Sequence, residues 1–317
     1  MKIQNEKQIQ SANPSALVDR ISTNLSGFTR LDLVAVIAVL GVLFLILLPA
    51  LAKPGVNSKV MQCLNNHRQL CNAWRMYADD NNDVLLYAST SGGNSGGSET
   101  YPNNFAWSGV HMDYNSANLA NYDPAYDMQR RPLWTYNKSI GIYKCPSDLS
   151  AIMNLSGTTV PRILSMAMNL YVGGFAPAAN SGTLIGTDGG WAFAAPYRIF
   201  SKSTGLTKPG PAKAFVFIDM RQDSVNWGNF MQDMSGYNPV APTSWSFSDI
   251  PGMYHDKAAS LSFADGHTEM KRWLDARTTP PLAPAGTTLD QQGFSYAATG
   301  KNNQDVYWLQ DHSTALK

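Results

Sequence analysis

Residues 33–52 are twenty in a row without a charge, in a chain where 15% of residues are Asp, Glu, Lys or Arg. Wound as a helix, the run would reach about 30 Å at ~1.5 Å per residue, the thickness of a bilayer's hydrocarbon core. It is apolar on every side, with Gly41 and Pro49 as the only helix-weakening residues. A helix without a polar face belongs in a large core or in lipid, so the run predicts a membrane span. Asp32 lies at its edge. A carboxylate there is costly without a cationic partner, and Arg30, two residues away, does not share its helical face. Were the chain cut after Gly27, Phe28 would carry a free amine, and Asp32 could neutralise such an amine on a neighbouring copy. Otherwise Asp32 is a boundary residue that reaches for the headgroups.

Ahead of the run, residues 1–26 are polar and carry Lys2, Glu6, Lys7, Asp19 and Arg20, with no apolar stripe. Lys and Arg before the span favour a cytoplasmic N-terminus. A secretory signal peptide is the rival reading, because Ala50-Leu51-Ala52 ends the run as an A-x-A site. Its apolar core is usually only ~7–15 residues. Lys53-Pro54-Gly55 should then break the helix. From Val56 an amphipathic pattern resumes through Val60, Cys63/Leu64, His67, Leu70/Cys71, Trp74 and Tyr77, steps of three and four that mark one face. His67 falls on that face and reads as a packed, hydrogen-bonded histidine. Oxygen-bearing residues at 79, 81 and 83 have the start of a calcium loop but neither its Gly nor its distal Glu, so they read as a helix stop. Ca2+ is the one cofactor this stretch raises.

Residues 89–98 form a Gly/Ser-rich loop by composition. From Tyr101 the chain is polar and aromatic, with Trp107, Tyr114, Tyr122, Tyr126, Trp134 and Tyr136. Such rings serve carbohydrate binding or replace aliphatic side chains in a loop-rich core, and the second reading is preferred. Strand candidates are 142–144, 197–200, 214–218, 258–264 and 267–273. Between the last two lies Asp265-Gly266, the preferred centre of a two-residue type I′ turn. His255, Asp219, Asp265 and His267 are the residues that a divalent metal could draw on, but their spacing fits no standard zinc or calcium loop, so a structural turn is the preferred reading and no metal is assigned.

Cys63, Cys71 and Cys145 are the three cysteines. Cys63 and Cys71 are about 12 Å apart on one helix, too far to bridge. Cys145 is therefore a partner in any disulfide, and Cys63–Cys145 is the expected bond, leaving Cys71 on the apolar face. A net charge of +1 gives no basic face for nucleic acid. There is no H-E-x-x-H, P-loop or Rossmann glycine pattern, and no catalytic residue is assigned. A membrane-anchored or secreted glycan-binding module or glycan hydrolase is the alternative that the aromatics keep open.

Gly27-Phe28-Thr29-x-Leu31-Asp32-Leu33, the apolar residues behind it and Pro49 resemble the N-terminus of type IV prepilins and type II secretion pseudopilins. The resemblance implies cleavage after Gly27 and N-methylation of Phe28 by a prepilin peptidase. Asp32, where Glu is usual, and Pro49 would then serve assembly. His255-x9-Asp265-Gly266 is similar to the H-x9-DG domain attached to many prepilin-like proteins, as are Cys145-Pro146-Ser147-Asp148, Phe215-Val216-Phe217-Ile218-Asp219 and Trp308-Leu309-Gln310.

What the resemblance implies is an α+β, pilin-like fold: a long N-terminal hydrophobic and amphipathic helix packed on an antiparallel β-sheet domain with long loops. The expected segments are a leader (1–27), an assembly helix (28–52), an amphipathic helix (53–83) and a periplasmic or extracellular domain (84–317) carrying the 255–273 hairpin. The expected role is a structural subunit, not an enzyme, single-pass in a bacterial inner membrane. Its partners would be the peptidase, its own copies and other pseudopilins, an inner-membrane assembly platform and membrane lipid, without nucleic acid.

Overall fold

A computed structural model describes residues 29–51, 56–90, 105–109, 111–176, 196–240 and 246–317. Gly27 and Phe28, the expected cleavage junction, lie outside the described residues, as does most of the Gly/Ser-rich loop. The chain divides into two units, Met1–Lys53 and Pro54–Lys317.

In the first unit helix α1 spans Arg30–Leu51. Thr29 and Asp32 start it reciprocally. Asp32 Oδ2 accepts the Thr29 backbone N–H (2.8 Å) and its hydroxyl (2.7 Å), while Thr29 Oγ1 accepts the Asp32 N–H (3.2 Å). This is a capping box, which satisfies amides that a first turn leaves bare. Pro49 falls inside α1, but side chains are described only as far as Phe44.

The expected long apolar N-terminal helix and the single-pass inner-membrane placement are both corrected. Among the described residues no helix is long and apolar enough to cross a membrane. Arg30 and Asp32 place two charged side chains in the first turn of α1, where a bilayer would make each costly. The pilin-like architecture built on that helix falls with it, and a mixed α+β fold remains.

The second unit begins with helix α2 (Val56–Asp80). Its apolar stripe is buried: Cys63, His67, Leu70, Cys71, Trp74 and Tyr77 all face the core. Asn82 and Asp83, both at positive φ, end it, and the Asn81 side-chain amide donates to Tyr77 O at 2.7 Å. Asp83 is taken up by the hydroxyls of Ser203 and Thr204. These contacts make 79–83 a helix stop.

Strands β1 (Ser89–Thr90), β2 (Ala151–Met153), β3 (Thr159–Pro161), β4 (Met166–Asn169), β5 (Phe175–Ala176), β6 (Phe215–Asp219), β7 (Asn229–Phe230), β8 (Ala258–Phe263) and β9 (Thr268–Arg272) follow. Between and after them come helices α3 (Trp134–Asn137), α4 (Tyr296–Gly300) and α5 (Gln304–Ser313). A five-stranded sheet has the order β7-β4-β6-β8-β9. It is antiparallel except where the two-residue edge strand β7 runs parallel to β4. The central strands β4, β6 and β8 are buried throughout, whereas β9 alternates toward solvent. Helix α2 lies against β6, β8 and β9. β1/β5 and β2/β3 form separate pairs.

Three local expectations change. Residues 140–143 wind into a 3-10 turn, not a strand, because Tyr143 is buried with its hydroxyl hydrogen-bonded to Asn137. Residues 197–200 make only isolated bridges, Tyr197 with Leu316 and Phe200 with Val172. The β8–β9 turn is not type I′: of its central residues only Gly266 has positive φ (+97°). Gly266 N–H donates to Phe263 O (2.8 Å) and Phe263 N–H to His267 O (3.0 Å). That is a three-residue loop closing through a glycine bulge. Two consecutive positive-φ residues occur instead at Asp256 and Lys257, in the tight turn that carries His255 into β8.

Candidate metal centre

Three segments distant in sequence converge on α2. Cys63 comes from α2, Cys145 from the segment after the 3-10 turn, Asp219 from the end of β6 and His255 from the turn before β8. One ligand atom from each lies within 4.8 Å of all the others, and all four residues are buried. Asn66, one helical step from Cys63, donates its side-chain amide to Gly141 O (3.2 Å) and Lys144 O (3.3 Å), fastening the Cys145 segment to α2. Ser165 Oγ receives the Cys145 backbone N–H at 2.9 Å. Gly252 passes against Asp219: its N–H donates to Asp219 O at 2.6 Å, and a Cβ there would come within 2.8 Å of Asp219 Cβ.

Asp219 is the hub. Its Oδ1 accepts from His67 Nε2 (3.2 Å) and its Oδ2 from the Ser260 backbone N–H (3.0 Å). The Cys63 thiol approaches Oδ2 at 3.3 Å and Oδ1 at 3.5 Å. Burial pushes the Asp219 carboxyl up, but His67, the Ser260 N–H and His255 together hold it below the ordinary value. Cys145 Sγ and His255 Nε2 meet at 3.2 Å. Burial and Cys145 push the Cys63 thiol well up. Cys145 moves the other way, because hydrogen bonding to Cys63 and His255 outweighs its burial. Burial lowers the His255 imidazole, and Cys145 and Asp219 more than reverse that. The Nδ1 atoms of His67 and His255 are buried without a hydrogen-bond partner.

All three cysteines are free thiols. The expected Cys63–Cys145 pair is brought together, but as two thiols sharing an aspartate and a histidine. Cys71 is buried, as expected, and donates to Phe263 O at 3.1 Å. Of the four sequence-level metal candidates, Asp219 and His255 enter the cluster. Asp265 and His267 pair with each other at 2.6 Å in the solvent-exposed β8–β9 loop. His255 and Asp265 flank β8, whose six residues extend about 20 Å at ~3.3 Å per residue, so they do not share an ion. Burial raises the Asp265 carboxyl, and the backbone N–H and ring of His267 bring it below the ordinary value.

Chemically, the cluster offers two sulfurs, an imidazole nitrogen and a carboxylate, a donor set suited to a transition metal. The Cys145–His255 pair has the polarity of an activated thiol, but every member is sealed from solvent. The aromatic residues divide: Trp107 is buried and stacked on Tyr143 (centroids 5.9 Å), and Tyr114 lies under the Arg162 guanidinium (4.5 Å). No family model matches the chain, and neither a curated protein nor a solved structure matches it significantly.

Proposed function

We propose that the chain is a pseudopilin-like structural subunit, processed between Gly27 and Phe28 and assembled with copies of itself through α1. The observation that carries the reading is the uncovered apolar surface of α1. Leu31, Val34, Ile37, Val39 and Phe44 are exposed, Leu31 by 81% and Phe44 by 69%. An apolar patch of that length calls for a partner surface, and the same helix on a second copy offers one of matching chemistry. The Thr29–Asp32 capping box supports the reading further. It uses Oδ2 of Asp32, which leaves Oδ1 to accept from the Phe28 amine of a neighbour.

The test is the N-terminal mass spectrum of the protein from its native cells, together with the filament yield of Asp32→Ala. A chain beginning at N-methyl-Phe28, with reduced assembly in the variant, supports the proposal. A chain beginning at Lys53 overturns it.

A second reading has one observation behind it. A cleft of about 280 Å3 has Asn226, Trp227, Asp249 and Tyr296 among apolar lining residues that include Phe175, Met231 and Phe247, and its rings with a few polar groups could stack and hydrogen-bond a sugar. Saturable binding of an oligosaccharide lost in Trp227→Ala would favour the glycan-binding module.

A further inference from the structure

We propose that Cys63, Cys145, Asp219 and His255 form a closed, four-coordinate Zn2+ site that ties α2 to the sheet. Tetrahedral zinc holds sulfur at ~2.3 Å, nitrogen at ~2.0–2.1 Å and oxygen at ~2.0–2.2 Å, which sets the donors roughly 3.2–3.8 Å from one another. Two of the separations here are 3.2 Å between Cys145 Sγ and His255 Nε2 and 3.3 Å between Cys63 Sγ and Asp219 Oδ2. Every other donor pair falls within 4.8 Å. Each sulfur has another member of the set as its polar neighbour: Asp219 for Cys63 and His255 for Cys145.

The donor types select the metal. Calcium and magnesium take oxygen ligands, and copper(I) prefers an all-soft set. Two thiolates with one imidazole and one carboxylate suit zinc. Binding displaces both thiol protons, and the three anionic donors then exceed the ion's charge by one. The N–H groups of His67 and Ser260 already lie on the two Asp219 oxygens, where they spread that excess and fix the carboxylate's orientation. Each oxygen keeps a second lone pair for the metal. Outer hydrogen bonds of this kind accompany protein metal sites and tune their affinity. The whole set is buried, so no open position remains for substrate, and the ion's role is structural. Because the ligands come from positions 63, 145, 219 and 255, the ion would crosslink the second unit across most of its length.

The experiment is metal analysis of the full chain purified without chelator under reducing conditions, followed by cobalt substitution. One zinc per chain is expected. The Co2+ form should show the intense visible bands of four-coordinate cobalt and a thiolate-to-cobalt charge-transfer band. Cys145→Ser should remove the charge-transfer contribution and most of the bound metal, whereas Cys71→Ser should leave both intact. His67→Gln should weaken binding by about 10–100-fold while keeping the four-coordinate spectrum. If Cys145→Ser fails to fold, the wild-type cobalt spectrum decides by itself. A chain that takes up neither Zn2+ nor Co2+ while its thiols are reduced overturns the site. An octahedral cobalt spectrum without thiolate charge transfer overturns it equally.

Discussion

Two histidine–aspartate pairs in this chain have similar chemistry and opposite surroundings. His67 and Asp219 meet at 3.2 Å with both side chains fully buried. His267 and Asp265 meet at 2.6 Å with 42% and 36% of their side chains exposed. The shorter contact is the weaker one. In water the loop pair trades solvation for attraction and keeps only ~0–1 kcal/mol. In the interior no solvent replaces a lost partner, so each member of the buried pair depends on the other. Distance alone does not rank polar contacts; what stands ready to replace them does.

The largest effect is expected at Asp219. Asp219→Ala strips the acceptor from His67, Ser260 and Cys63 at once, and a loss of about 3–5 kcal/mol is expected in equilibrium denaturation. A loss below ~1 kcal/mol would mean that burial does not separate the two pairs.

A third histidine sharpens the contrast. His312 stacks on Trp308 with ring centroids 3.9 Å apart, and burial brings its imidazole down from 6.5 to about 4. The unfolded chain takes up a proton there that the folded chain refuses, so this contribution is complete above pH 6.5. It declines as pH falls toward 4, no more steeply than about 1.4 kcal/mol per pH unit. An NMR titration should find the His312 ring titrating near 4.

Gly266→Ala tests the loop that presents the exposed pair. With φ at +97°, a side chain should cost about 1–2 kcal/mol. The guanidinium of Arg75, within 2.6 Å of the new Cβ, would have to move aside. Last comes His267→Ala. It removes the exposed contact to Asp265 and one ring stacked on Phe263 (4.3 Å), and the expected cost is at most about 1 kcal/mol. A larger effect from His267 than from Asp219 would invert the comparison.

Sequence periodicity located the elements that bury one whole face. The three-and-four steps from Cys63 to Tyr77 place α2, and the alternation through Leu261 and Phe263 places β8, with β9 following from the turn at Asp265-Gly266. It failed where three or four residues had to decide. Ile142-Tyr143-Lys144 has the composition of a strand, yet one buried ring and its hydroxyl partner wind that segment into a turn. At the candidate site the sequence anticipated that Cys63 and Cys145 would meet, and that Asp219 and His255 were candidates for a metal. It could not join those two expectations. Their union depends on β6 and β8 lying side by side beneath α2, a non-local pairing that no spacing records. Asp265 and His267 lie close to His255 in sequence, yet the extended strand β8 between them carries them to its opposite end.

The edges of the sheet have a consequence for crowding. A free strand edge is a template on which another chain can add a strand. β9, at one edge, carries Glu269, Lys271 and Arg272 in its five residues, and β7, at the other, is only two residues long. Neither gives a visiting strand a long, uncharged ladder. Such a body can be held at high local concentration without its sheets fusing, which leaves association to surfaces other than the backbone.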